Sequence, residues 1–274
     1  MTPVHSALNV IKVTPAYWRA TLNNPPLNLF DPEMFAALRL LMNDLENDED
    51  VQVVVFDSAD PDFFIAHYDM VRGGEEVDIP GAAPISDFPS FVSRLANSSV
   101  VSIAAIRGRV RGIGSEFALA CDMRFASREK ALFGQPEVGA GVIPGGGGLE
   151  WLPRLVGRSR ALEIALLSND FDAATAEQYG WINRAVPDAQ LDQLVDNYAR
   201  RVAGFGKFPL QNVKRIINQR SGVPHPADIT ECQQVFRECL QQPQTQSRVK
   251  KLLDAGLQQA SELEHNLGQR LANL

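Results

Sequence analysis

Two glutamates and two glycine-rich segments carry the chemistry that this sequence offers. Glu116 closes the run Arg107-Gly108-Arg109-Val110-Arg111-Gly112-Ile113-Gly114-Ser115 and stands in the first turn of an expected helix. Glu137 follows Gln135-Pro136 and precedes Gly139-Ala140-Gly141-Val142-Ile143-Pro144 and the glycines Gly145 to Gly148. Both segments leave backbone N–H groups free near a helix start, where they bind anions or stabilise a developing oxyanion. If the segments converge, the carboxyls flank one substrate and one water, the arrangement of general acid–base catalysis. Spacing alone leaves plainer readings open. The glycines allow tight turns and close packing, and chance pairs two glutamates readily among 33 acidic residues. The sequence holds no GxxxxGK[ST], no GxGxxG and no GxSxG around Ser115.

To position these groups, strands must end and helices begin at the glycine segments. Hydrophobic alternation predicts a hairpin of strands 8–13 and 16–22 with a turn at Thr14-Pro15. Asp31 caps a helix with Pro32 at its first position and Phe35, Leu38, Leu41, Met42 and Leu45 on one face. A strand at 51–57, a helix at 88–96, a strand at 100–106 and a helix through 117–120 follow, an alternation that predicts an α/β fold with crossover connections. Beyond residue 187 the pattern is helical, over 191–202, 208–217 and a long final stretch. There Val249, Leu252, Leu253, Leu257, Ala260, Leu263, Leu267 and Leu271 form one stripe that must pack on the body or on another subunit. Gly81-Ala82-Ala83-Pro84, after Glu75 and Glu76, reads as a mobile surface loop.

Composition narrows the classes. The 274 residues, 45% hydrophobic and 22% charged, suit a globular enzyme or binding protein. A net charge of −7 repels polyanions, so no nucleic-acid partner is expected and an anionic ligand needs a local basic pocket. Cys121, Cys232 and Cys239 have neither disulfide nor metal-ligand spacing, which points to a reducing compartment and no metal. No window approaches the length of an apolar membrane span and the first twenty residues lack a signal-peptide pattern, so no membrane partner and a cytoplasmic location are expected.

At the glycine segments the chain resembles the enoyl-CoA hydratase/isomerase family, the crotonases. The matching text is Ser102 to Gly108, Gly112-Ile113-Gly114-Ser115-Glu116-Phe117-Ala118-Leu119-Ala120-Cys121-Asp122, Phe133-Gly134-Gln135-Pro136-Glu137 and Ile143-Pro144-Gly145-Gly146-Gly147-Gly148. Order and spacing agree, the likeness covers about residues 8 to 220, and the last fifty residues match poorly. The resemblance implies a spiral of strand-strand-helix turns in a core domain of residues 1–200. It implies a helical C-terminal region, 201–274, used for assembly as a homotrimer or a dimer of trimers. The implied substrate is an acyl-CoA thioester, with no metal or redox cofactor. Glu116 and Glu137 fall on the family's two hydratase glutamates, and the backbone N–H groups of Tyr68 and Ile113 fall on its oxyanion hole. Ala66, His67, Asp69, Gly112, Gly114, Pro136 and Gly145 are the implied substrate-binding neighbours. Water addition to a 2-enoyl thioester is the leading activity. A double-bond isomerase, a thioester hydrolase using His67 and a catalytically silent scaffold are the alternatives.

The chain also departs from the family pattern. His67 and Ile113 stand where glycine is usual, and Tyr68 where a small residue is usual. A positive φ at Ile113 would be resisted by its β-branched side chain. Phe63, Phe64, His67 and Tyr68 suggest a shaped acyl pocket. Arg107, Arg109 and Arg111 fit either coenzyme A phosphates or a substrate carboxylate, or a solvated, salt-bridged edge.

Overall fold

Alternating side chains in residues 8 to 22 build the opening hairpin. β1 (Leu8–Thr14) pairs antiparallel with β2 (Tyr17–Leu22), from Leu8 opposite Leu22 to Thr14 opposite Tyr17. The computed structural model describes residues 7–75, 77 and 87–274; the loop expected at Gly81-Ala82-Ala83-Pro84, with Glu76, lies outside them. α1 (Pro32–Asn47) begins where the Asp31 carboxylate accepts the Met34 N–H at 2.8 Å, a cap worth about 1 kcal/mol.

Three successive units then send one strand to each of two sheets. β3 (Val53–Ser58) and β4 (Phe63–Ile65) precede α2 (Phe88–Asn97); β5 (Val101–Ile106) and β6 (Arg109–Arg111) precede α3 (Ile113–Ala120); β7 (Met123–Ser127) and β8 (Leu132–Gly134) precede α4 (Glu137–Ala140). α5 (Gly148–Val156), α6 (Arg158–Leu167), β9 (Asp170–Asp172), α7 (Ala173–Tyr179) and β10 (Arg184–Val186) complete the α/β part. Helices alone follow: α8 (Asp188–Ala203), α9 (Lys207–Ser221), α10 (Pro226–Leu240), α11 (Pro243–Asp254), α12 (Glu262–His265) and α13 (Leu267–Arg270). The larger sheet runs β1-β2-β3-β5-β7-β10 and is parallel from β2 onward. The smaller runs β4-β6-β8-β9, with β9 antiparallel to β8.

Side-chain alternation along the parallel strands explains why the larger sheet is covered on both faces. Val54, Phe56, Ala104, Ile106 and Ala126 point into the main core beneath α1, α2 and α3. Val53, Val55, Ile103, Ala105 and Phe125 point the other way, onto Leu191, Val195 and Ala199 of α8, spaced one helical turn apart. Because both faces are sealed, the strand ends are the places where the sheet can offer backbone groups to a ligand.

The tail differs from the single striped helix expected. α11 stops at Asp254 because Gly256 takes φ +105°, and the Leu257 N–H turns back to Leu252 O at 2.9 Å. The chain reverses through residues 255–261 and resumes in two single-turn helices. Leu252, Leu257, Leu263, Leu267 and Leu271 thereby converge into one buried cluster with Met70 and Ala140 of the core, while Ala260 is exposed. The stripe is spent inside the chain.

Candidate active site

Gly112 decides how the two halves of the site meet. It holds φ +52° and ψ −125°, which favours glycine, and it immediately precedes α3. Ile113 follows with no positive φ, so the strain expected of a β-branched residue is absorbed by its glycine neighbour. The Ile113 N–H, in the first turn of α3, has no acceptor within the helix. A Cβ on Gly112 would stand 2.8 Å from Glu137 Oε1 and 3.9 Å from His67 Cβ. The start of α3, the Glu137 carboxyl and the loop after β4 therefore abut at this one residue.

That loop carries the second N–H. The Phe30 N–H donates to His67 O at 2.9 Å, and the Asp69 N–H donates to Phe30 O at 3.1 Å. In a trans peptide the C=O and N–H point in opposite directions, so the Tyr68 N–H is turned away from Phe30. The Tyr68 ring packs edge-on against Phe236 of α10, with ring centres 5.9 Å apart.

Both carboxyls are buried. Glu116 Oε1 accepts the N–H groups of Gly146 and Gly148, at 2.8 and 2.9 Å, so the second glycine segment fixes its orientation. Burial pushes its pKa up to about 7; the two N–H donors oppose that rise and the charge of Glu150 adds to it. Glu137 is raised well above the usual carboxyl range, first by burial and then by the charge of Glu116, and its Oε2 has no hydrogen-bond partner among the described residues. Two facing carboxyls of this kind titrate as a pair, with the less acidic member keeping its proton.

A cavity of about 1030 Å³ joins these groups. Glu116, Glu137, Tyr68 and Ile113 all line it, as do His67, Gly112, Pro136 and Gly145. Ala66, Asp69 and Gly114 stand behind the wall. Asp69 accepts the Val71 and Arg72 N–H groups, and Gly114 lies against Ile65, where a Cβ would approach to 2.6 Å. Phe63 and Phe64 are core residues and do not shape the cavity. Its apolar walls come instead from Phe30, Phe35 and Phe88 on one side and from Leu252, Leu257 and Leu271 of the tail on another.

His67 is tied on both ring nitrogens: Nδ1 to Tyr68 O and Nε2 to Glu264 Oε1, each at 2.8 Å. Burial disfavours its charge, yet the Glu264 carboxylate outweighs that and raises its pKa, while the Glu264 pKa is lowered. The three arginines line no part of the cavity. Arg107 pairs with Asp188 and Asp192, and Arg109 donates to His265 O and Asp62 O. Arg111, far from a solvated edge, is fully buried, bidentate to Asp170 and bonded to Glu264 O at 2.6 Å.

Glu264 and the leucines of the tail were not singled out as site residues from sequence. Nor was Gln135, whose buried amide has no hydrogen-bond partner among the described residues. Among the described residues no group of three or more His, Cys, Asp or Glu could hold a metal ion, and no helix is long and apolar enough to cross a membrane.

Strand-strand-helix turns that feed two sheets, with helix starts delivering a carboxyl pair to one cavity, define a crotonase-fold protein. The enoyl-CoA hydratase/isomerase family model matches residues 16–259, and the chain belongs to that family; Glu264 lies beyond the matched span. It is 30% identical to the short-chain-enoyl-CoA hydratase of Clostridium acetobutylicum over 73% of this chain and 76% of the relative. Among solved structures, a Streptomyces avermitilis protein provisionally named an enoyl-CoA hydratase is 41% identical, with a TM-score of 0.91 over 100% of this chain and 99% of that one. Pseudomonas aeruginosa DspI is 28% identical, with a TM-score of 0.71 over 93% and 98%.

Proposed function

We propose that the protein adds water across the double bond of a 2-enoyl-CoA thioester, using Glu116 and Glu137 as its acid–base pair. The ionised Glu116 takes a proton from water as the water oxygen bonds to C3 of the acyl group. The C2–C3 π pair moves toward the carbonyl, and the thioester enolate is held by the N–H groups of Tyr68 and Ile113. Glu137 then gives its proton to C2, leaving a 3-hydroxyacyl thioester. The observation that carries this reading is two buried carboxyls on one cavity that Tyr68 and Ile113 also line; burial raises the pKa of both, and the charge of Glu116 raises Glu137 further, which suits Glu116 as base and Glu137 as acid. The reaction calls on no metal or redox cofactor.

A thioester hydrolase using His67 as base is disfavoured, because both ring nitrogens are already engaged. A silent scaffold loses one of its two motives, because Ile113 takes no positive φ; the other, Tyr68 in place of a small residue, stands. Isomerase chemistry would use the same groups. Incubation with crotonyl-CoA in D₂O separates these: hydration gives 3-hydroxybutyryl-CoA with one deuterium at C2, hydrolysis releases free thiol, and a scaffold binds without turnover. Conversion of a 3-enoyl-CoA, without hydration of crotonyl-CoA, would favour the isomerase.

The proposal extends to assembly as a homotrimer or a dimer of trimers through the helical region from residue 201. The tail leucines are occupied within the chain, so the contact falls to other apolar side chains. Val213, Ile216 and Ile217 share one face of α9 and remain exposed.

A further inference from the structure

We infer that residues 258–264 form a clamp on the loop bearing the Tyr68 N–H, with Gln258 and Glu264 as positioning residues for the reaction. The inference rests on the reading above in one respect: it takes that N–H as a group that meets the thioester oxygen.

Gln258 adopts φ +65°, a left-handed conformation that is strained for a residue with a side chain. That backbone places its amide against one loop twice. Gln258 Oε1 accepts the Met70 N–H at 2.8 Å, and Nε2 donates to Asp69 Oδ1 at 2.7 Å. Its own N–H donates to Glu264 Oε1 at 2.6 Å. The same oxygen receives His67 Nε2, and a carbonyl only accepts, so His67 Nδ1–H must donate to Tyr68 O. The peptide after Tyr68 is thus held by His67, and the two residues beyond it by Gln258.

His67 and Glu264 explain each other. A buried imidazole or carboxyl is costly alone and tolerable as a hydrogen-bonded pair. Since apolar residues commonly match a buried ion pair in stability, the pair's benefit lies in orientation. Its geometry fixes the Tyr68–Asp69 peptide, the one next to that carrying the Tyr68 N–H.

The test compares wild type with Gln258→Gly, Glu264→Ala and Glu264→Gln, reading kcat and KM with crotonyl-CoA, thermal unfolding, and the enolate absorption of bound acetoacetyl-CoA. Gln258→Gly relieves the strained φ while removing the amide, so a purely structural residue predicts unchanged kcat with equal or higher Tm. The clamp predicts kcat lower by about 10²-fold with KM within about twofold, and a weakened enolate band. Glu264→Ala should show the same split, and Glu264→Gln, which keeps the accepting oxygen, should recover part of it. Unchanged kcat in both Gln258→Gly and Glu264→Ala, or losses that merely track Tm, would overturn the clamp. If wild type polarises acetoacetyl-CoA but does not hydrate crotonyl-CoA, the hydratase reading fails while the enolate band still decides the clamp. A wild type that does neither sinks both.

Discussion

Glu137 Oε1 lies 2.8 Å from the point where a side chain on Gly112 would begin. Any larger residue must therefore displace the carboxyl, and it must do so at φ +52°, which adds about 1 to 3 kcal/mol of strain. Gly112→Ala is expected to lower hydration by about 10²-fold and to lower Tm as well. An alanine variant with wild-type turnover would show that Glu137 need not stay where it is.

Removing either carboxyl should trade activity for stability. Glu116→Gln and Glu137→Gln are each expected to cut turnover by about 10²- to 10⁴-fold. A carboxyl whose folded pKa is raised favours the fold most while protonated, and that advantage is lost as pH climbs from the unfolded value through the folded one. For Glu116 the window runs from 4.5 to about 7. Above it, Glu116→Gln should exceed wild type by about 3 kcal/mol in urea unfolding, and below it by little. A glutamine variant less stable at alkaline pH would contradict the burial argument.

The pH–rate profile should be bell-shaped. Turnover requires Glu116 ionised and Glu137 protonated, so the acid limb should fall near pH 7 and the alkaline limb above it, both belonging to the coupled pair. Activity that declines steadily from acid pH upward would show that no ionised carboxyl is needed and would remove Glu116 as the base.

Replacing Ile113 tests whether this residue spoils the oxyanion hole. Because the positive φ resides at Gly112, Ile113→Gly relieves nothing and adds backbone freedom at a helix start. Turnover is expected to stay flat or fall, with a loss of stability of several kcal/mol, because a core side chain is removed as well as helix propensity. A clear rise in kcat would mean that Ile113 does misdirect its N–H.

Assembly and folding should separate by position. Val213→Asp with Ile217→Asp is expected to reduce the mass seen by light scattering without unfolding the chain, since both residues are exposed in the single chain. Leu257→Asp should instead destabilise the tail by several kcal/mol, because it places an unpaired carboxylate in the leucine cluster. A wild-type protein that is monomeric at micromolar concentration would remove the trimer.

Legibility followed the length of the local pattern. The hairpin, α1, β3, α2 and β5 each show several periods of alternation or helical stripe, and each stands close to its expected place. The smaller sheet was invisible because β4, β6, β8 and β9 have three residues apiece, too few to display a period of two. The tail misled for the opposite reason: its leucine spacing continues across a break made by Gly256 and Gln258, and the sequence pattern does not register a reversal of the chain. Glycine density and family likeness pointed to Glu116, Glu137, Tyr68 and Ile113, all local features. His67 paired with Glu264, 197 residues apart, could not be read because no local pattern carries such a contact.

Arg111 ties the strand that leads into α3 to the end of the chain. Its fully buried guanidinium takes partners 59 residues away, at Asp170, and 153 residues away, at Glu264 O. Until the tail arrives, that cation keeps an open donor beside the strand that leads into α3, and contacts so distant in sequence form slowly. Because tail residues line the cavity, the chain must have passed residue 264 before the cavity can close, which predicts an early, compact and still inactive species. Recovery of activity after dilution from denaturant would then lag behind recovery of helix and sheet, and the lag would time the docking of the last helices.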